Sequence, residues 1–302
     1  MELKKYPLKL SPVCKEIIWG GTKLKSEFGK VCDLEKVAES WELTVRHDGM
    51  NIIENGEYAS MPLADYLGDS AKGFPLLIKL IDACDKLSIQ VHPADEYAQA
   101  NEGEYGKTEM WYIVDAEPGA QLVYGLENYN KDTFAAAAKD GTLEQYLHYV
   151  DVHPGDVFFI PAGCVHAIGA GILIAEIQQS SNVTYRVYDY NRRGKDGQLR
   201  PLHVEKALDV IVDYTEDEIN AIRYEDGYFD GALANCKYFR VERYVGDITL
   251  NAGEGFMHIL CLSGEGTVNG EPMKKGDSYF LPAGLGPVEV KGNAEIITSV
   301  AK

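Results

Sequence analysis

The chain has 302 residues, 45% apolar and 25% charged, with 29 lysines and arginines against 47 aspartates and glutamates, a formal net charge of −18. That length and apolar share suffice for one large domain or two ordinary ones. The acidity excludes a free-standing nucleic-acid binder, which needs clustered cations to neutralise phosphates. The six cysteines (Cys14, Cys32, Cys84, Cys164, Cys236, Cys261) are scattered, with no C-x-x-C, which argues against a disulfide scaffold or a cysteine-held zinc. MELKKYPLKLSPV lacks the apolar core of a signal peptide, and no run approaches the roughly 20 apolar residues that span a bilayer. The expectation is a soluble, cytoplasmic protein with no membrane or nucleic-acid partner.

In chain order, LLIKLIDA, KLSIQVH, EMWYIVDA and AQLVYG are short, rich in β-branched and aromatic residues and bounded by Gly, Pro and Asp, the marks of strands. NYNKDTFAAAAKDGTLEQYLHYV carries apolar residues at helical spacing with Gly141 interrupting, and predicts two short helices over about 127–150. DVFFIPAG and ILIAEIQQ return to strand character. PLHVEKALDVIVDY, with a proline at its start, predicts a helix over 201–214. Then come YFRVERYV, DITLNAG, MHILCLSG, GTVNG, DSYFLPAG, VEVKG and AEIITSV. Such dense strand spacing predicts an all-β, antiparallel sandwich or barrel with a few helices. The division is expected just after the last helix, into units 1–225 and 226–302.

An internal repeat suggests that the two units share a plan. Gly155 to Gly163 reads GDVFFIPAG and Gly276 to Gly284 reads GDSYFLPAG; seven of the nine positions match or exchange one apolar residue for another. Gly-Asp closes a turn, Pro ends strand pairing, and Gly lets the chain swing round. In the first copy His166 follows, giving G-x5-P-x-G-x2-H, a signature that resembles the cupin jelly-roll barrel. In the second, Gly284 is followed by Leu285, Gly286 and Pro287.

A histidine there needs partners on another inward-facing strand. KLSIQVHPADEYA supplies Gln90 and His92 at i and i+2, which share one face of a strand. Seventeen residues after His92 comes Glu109 in GKTEMWYIV. Two nitrogens and two oxygens suit zinc or another borderline divalent ion with positions left open. His47, His148, His153, His203 and His258 fall outside the pattern and read as surface or satisfied core groups. The second unit carries no Gln-x-His, and Glu254 or Gly255 is the expected counterpart of Glu109. That barrel is expected to be structural, walling one side of the site.

IQVHPADEYA, GKTEMWYIV, GDVFFIPAGCVHAIG and AEIQQSSNVTYRVYDYNR together resemble the type I phosphomannose isomerases in their short bacterial form. PVCKEIIWGGTKL, ESWEL and GFPLLIKLIDA extend the resemblance, which runs in order over about 8–212. The resemblance implies two cupin-type jelly-roll barrels, the first metal-binding and the second degenerate. It implies interconversion of mannose 6-phosphate and fructose 6-phosphate through a cis-enediol, with one zinc ion on Gln90, His92, Glu109 and His166. It also implies active-site roles for Lys107 and Arg186, and places Lys79 and Ser88 in the substrate pocket. Trp19 and Trp41, each beside glycine or polar residues, are candidate aromatic walls for the sugar.

The chemistry agrees with this. Moving a proton between C1 and C2 builds negative charge on two oxygens, which a Lewis acid stabilises. The proton carrier stays open between a water on the metal, the surroundings of His92, and Lys107 with a nearby acid. Arg186 can clamp a phosphate or neutralise the intermediate. The expected partner is a phosphorylated hexose, and the chain is expected to act as a monomer or homodimer. Two rival readings are a metal-dependent cupin dioxygenase, which usually uses more histidine ligands, and a non-catalytic sugar-binding cupin.

Overall fold

A computed structural model describes residues 3–194 and 197–302. Among the described residues, strands dominate and pack as four layers in two barrels. In the first barrel a six-stranded sheet runs Val157–Ile160, Glu109–Ala116, Ile172–Gln179, Leu76–Ala83, Glu39–Leu43, Val13–Lys15. It faces a five-stranded sheet of Leu147–Asp151, Gln121–Leu126, His166–Ala167, Ile89–Val91 and Tyr185–Tyr188. In the second barrel a seven-stranded sheet faces a four-stranded one. All the registered pairs between these strands are antiparallel, as the alternating pattern and short turns require.

The strands Leu76–Ala83 and Ile172–Gln179 are buried along their whole length, because both faces of their sheet are covered. One face lines the first barrel with Trp111, Ile81, Ile113 and Ile174. The other carries Leu80, Ala175 and Ile177 into a core shared with Phe239, Val241, Leu260 and Ile297 of the second barrel. Strands Leu8–Ser11 and Ile52–Ile53, which precede the expected division near 225 by a long way in sequence, hydrogen-bond into the second barrel's large sheet.

The repeated hairpin is one structure built twice. Gly155 and Gly276 turn with φ of 96° and 90°, a region open to glycine at little cost. Ile160 pairs with Glu109 in the first barrel, and Leu281 pairs with Met257 in the second. The counterpart of Glu109 is therefore Met257, and neither Glu254 nor Gly255 takes that place. Three residues after the second hairpin glycine, where His166 stands in the first copy, lies Pro287.

The helices differ in detail from their sequence patterns. Lys131–Asp140 is helical, capped by the Asn130 side chain and ended by Gly141 at φ 72°. A single 3-10 turn follows at Leu143–Tyr146, but Leu147–Asp151 is a strand. Its edge pairing with Gln121–Leu126 outweighs the helical spacing. Val204–Val210 is helical within 201–214. The helices Asp95–Glu102 and Glu216–Arg223, hidden among polar residues in the sequence, carry few apolar positions.

Candidate active site

Two cross-strand rows face each other inside the first barrel. On the small sheet, Ile89 and Val91 face an outer core beneath the helices, so Gln90 between them points inward. Gln90 pairs directly with His166 on one side and Arg186 on the other. On the large sheet, Trp41 pairs with Lys79, Lys79 with Glu176, and Glu176 with Trp111. Between the rows lies a cavity of about 370 Å³ lined by Trp19, Trp41, Lys79, Ser88, Gln90, Lys107 and Arg186. Glu39, Glu176, Asn182, Thr184 and Arg200 also line it.

At one corner, ligand atoms of His92, Glu109 and His166 lie within 4.8 Å of one another, all buried. His92 Nε2 is 3.7 Å from Glu109 Oε2, and His166 Nε2 is 3.4 Å from Glu109 Oε1. The other ring nitrogens are engaged by carbonyls: His92 Nδ1 at 2.8 Å from Val183 O, His166 Nδ1 at 2.9 Å from Cys164 O. That makes each Nδ1 the donor and turns the Nε2 lone pairs toward the carboxylate, the arrangement of ligating histidines. Burial lowers both imidazole pKa values, His166 to about 4, so the rings are neutral. Glu109 Oε1 is buried without a hydrogen-bond partner, a cost that a cation would remove. The Gln90 amide adjoins this corner, its Nε2 3.3 Å from His166 Nε2. The donor set therefore fits a divalent metal.

Lys107 links the corner to the cavity. Its Nζ donates to Glu109 Oε2 at 2.5 Å, sits 3.2 Å from His92 Nε2, and meets Glu176 Oε1 at 3.8 Å. Glu176 also meets Lys79 at 3.1 Å and accepts from Trp111 Nε1 at 3.1 Å. The two buried carboxylates are driven apart. Burial and the charge of Glu176 push Glu109 up. Burial also works against Glu176, but Lys107 and Lys79 hold it well below the usual carboxylate range. Glu176 thus stands ionised between two lysines, while Glu109 is a buried carboxylate that a bound cation would hold ionised.

Arg186 lines the cavity on the strand beside Gln90. Its backbone is fixed by reciprocal hydrogen bonds with His203, and its Nη1 donates to Pro201 O at 2.9 Å. Its Nε is buried and without a partner. Burial and then Arg200 press against its charge, while Asp189 favours it. Asp189 already takes Arg192 at 2.5 Å and both arms of Arg200 at 2.6 and 2.5 Å. Arg192 also reaches Asp85 at 3.5 Å, so three guanidiniums face two carboxylates and one positive charge is left over beside the cavity of an acidic protein.

Every candidate residue named from the sequence is either in the cavity or in the metal-competent corner. The sequence reading missed Glu176, Glu39 and Arg200. A signal for Glu176 exists: it is the one charge in ILIAEIQQ, as Lys79 is in the inner part of LLIKLIDA, and lone charges in buried strands require partners. Arg200 left no such mark. His258 is a core group, fully buried, with the Glu42 backbone beside its ring but no hydrogen bond of good geometry at either ring nitrogen.

Fold and site together define a double cupin whose first barrel holds a metal-competent, cation-rimmed cavity. Residues 8–126 match the model of the phosphomannose isomerase type I catalytic domain, and residues 231–301 that of the mannose-6-phosphate isomerase cupin domain. The chain is 40% identical to mannose-6-phosphate isomerase ManA of Bacillus subtilis, over 97% of this chain and 98% of that one. It is 36% identical to mannose-6-phosphate isomerase of Streptococcus mutans, over 97% and 98%. The solved mannose 6-phosphate isomerase from Bacillus subtilis superposes with a TM-score of 0.87 at 34% identity, covering 98% of this chain and 99% of that one. The chain belongs to the type I phosphomannose isomerases, and is an enzyme of that family.

Proposed function

We propose that this chain interconverts mannose 6-phosphate and fructose 6-phosphate through a cis-enediol, with one zinc ion held by Gln90, His92, Glu109 and His166. The observation that carries the reading is the make-up of one cavity: a metal-competent corner, the guanidiniums of Arg186 and Arg200 in the lining, and paired lysines and carboxylates beside them. A zinc ion at that corner supplies a Lewis acid for the sugar's O1 and O2. Arg186, with its free Nε, and Arg200 receive the phosphate, whose oxygens match guanidinium forks. Ser88 and Lys79 border the path between. Trp19 and Trp41 give the sugar an apolar wall and exclude water. Lys107 and Glu176 carry the proton between C1 and C2: Glu176, ionised, accepts it, and the Lys107 ammonium offsets the charge that develops. The acid that Lys107 needs is thus a residue of the neighbouring strand.

The finer organisation belongs to the same proposal. Residues 1–225 supply the chemistry and 226–302 form the second unit, working as a monomer or homodimer in a reducing cytoplasm, where the free cysteines stay reduced. Among the described residues no helix is long and apolar enough to cross a membrane. The dioxygenase reading is disfavoured by a carboxylate–amide–imidazole corner beside two lysines, and the pure binding reading by an ionised Glu176 standing between Lys79 and Lys107 next to that corner.

The test is turnover of mannose 6-phosphate by purified protein, before and after chelation and zinc add-back. Activity lost and restored is the expected result. No turnover by zinc-loaded protein overturns the substrate assignment, and full activity after complete chelation overturns the metal.

A further inference from the structure

Strand Glu39–Leu43 has two faces with different business. Glu39 and Trp41 line the cavity. Ser40 and Glu42 point the other way, toward the second barrel, as the period of two requires. The pairing register slips at this point: Trp41 pairs with Lys79 but Leu43 with Ile78, so Glu42 has no partner in the ladder. Such a bulge re-aims neighbouring side chains and is not itself held by strand pairing.

Side chains hold it instead. The Glu42 carboxylate is fully buried. Lys30 Nζ lies 2.6 Å from its Oε1, Ser40 Oγ donates to Oε1 at 2.6 Å, and Ser278 Oγ donates to Oε2 at 2.7 Å. Lys30 Nζ also donates to Gly276 O at 2.5 Å. Gly276 and Ser278 belong to the second barrel's copy of the repeated hairpin. Gly276 sits so close to Phe28 that a Cβ would come within 2.3 Å of its carbonyl oxygen. The His258 ring, on the adjoining second-barrel strand, adjoins the Glu42 backbone and Lys30. A buried ion pair gains little net stability after desolvation, and its better-attested use is to fix register.

One residue back along the strand, Trp41 Nε1 donates to Glu39 Oε2 at 2.7 Å, and Glu39 lies 3.7 Å from Lys79 Nζ. The Trp41 ring has Lys15 at 4.4 Å and Lys79 at 5.6 Å. Whatever sets Glu42 therefore sets how far this wall reaches into the cavity.

We propose that the second barrel is a positioning unit for substrate: Ser278, acting through the Glu42–Lys30 pair, fixes the bulge that presents Trp41 and Glu39 to the sugar. Ser278 is a positioning residue, and neither it nor Glu42 reaches the metal corner. This rests on the proposed isomerase reading for its choice of substrate, but not for the coupling itself.

The test compares Ser278→Ala with Thr298→Val, which removes a different buried hydroxyl of the same barrel, one that has no hydrogen-bond partner and so does not bond Glu42. Steady-state kinetics with mannose 6-phosphate, metal content, and hydrogen exchange of peptides spanning 39–43 are measured for both and for the unaltered protein. Ser278→Ala is expected to raise KM about fivefold, the size of one hydrogen bond. Its kcat should stay within about twofold, with metal content unchanged and faster exchange over 39–43; Thr298→Val should match the unaltered protein in all four. An unchanged KM or unchanged exchange in Ser278→Ala overturns the proposal, as does an equal effect of Thr298→Val. If zinc-loaded unaltered protein turns over no mannose 6-phosphate, the function reading fails, and exchange over 39–43 alone then decides the coupling.

Discussion

The two barrels share a hairpin down to its register, yet among the described residues only the first gathers metal-competent side chains. Where the first puts Glu109 opposite Ile160, the second puts Met257 opposite Leu281. Where the first has His166, the second has Pro287. The interior follows suit: Met257, Ile259, Cys261, Tyr279 and Leu281 form a buried apolar core, while the first barrel keeps its charges and a cavity. A jelly roll can thus be filled or functional, and two side chains per hairpin separate the outcomes. The polar residues of the second barrel are displaced to its outer face, where Ser278 and His258 meet the first.

That contrast can be broken from either side. The largest effect is expected at the metal corner. Glu109→Ala or His166→Ala should reduce turnover about a thousandfold, several kcal/mol of lost transition-state stabilisation, and metal analysis should find the ion gone. Retained metal at full occupancy in either variant would contradict the ligand set. The reverse change, Met257→Glu, should bind no metal, because Pro287 offers no second ligand. It should destabilise the protein by about 3 kcal/mol in denaturant titration, the cost of a buried, unpaired carboxylate.

A smaller effect is expected at His258, whose first-barrel counterpart by register is Met110. Burial lowers its pKa from 6.5 to about 3. The unfolded chain therefore binds a proton that the folded ring refuses. The stability this ring contributes is whole above pH 6.5 and is lost as pH falls toward 3, by roughly 1.4 kcal/mol per pH unit. His258→Met should flatten that limb of a stability-against-pH curve; an identical acid limb would show that the ring does not stay neutral. The smallest effect is expected at the shared wall. Trp41→Phe should raise KM about threefold with little change in kcat, since it removes the Nε1 hydrogen bond to Glu39 and weakens a cation–π contact of modest size. A fall in kcat alone would move Trp41 from binding to the chemical step.

Much of the site was legible in the residues. Gln90 and His92 two apart in a strand, Glu109 opening the next, and His166 after the Pro-x-Gly turn are short-range patterns. Strand periodicity alone turns such residues to one face. The cores and the doubled hairpin were legible for the same reason, since apolar alternation and turn residues act locally. The helical pattern at 147–151 misled because edge pairing with a distant strand decides that segment.

What the sequence by itself determined is the metal-competent corner, the hairpin plan and the loss of ligands in its second copy, because each is written within a few consecutive residues. Only the tertiary structure decided that Glu176 stands between Lys79 and Lys107, that Arg200 joins Arg186 at the cavity, that strands 8–11 and 52–53 complete the second barrel's sheet, and that Ser278 grips Glu42 across 236 positions. These depend on which strands become neighbours, and that choice is made by burying both faces of the central sheet at once, a global condition that no local pattern contains.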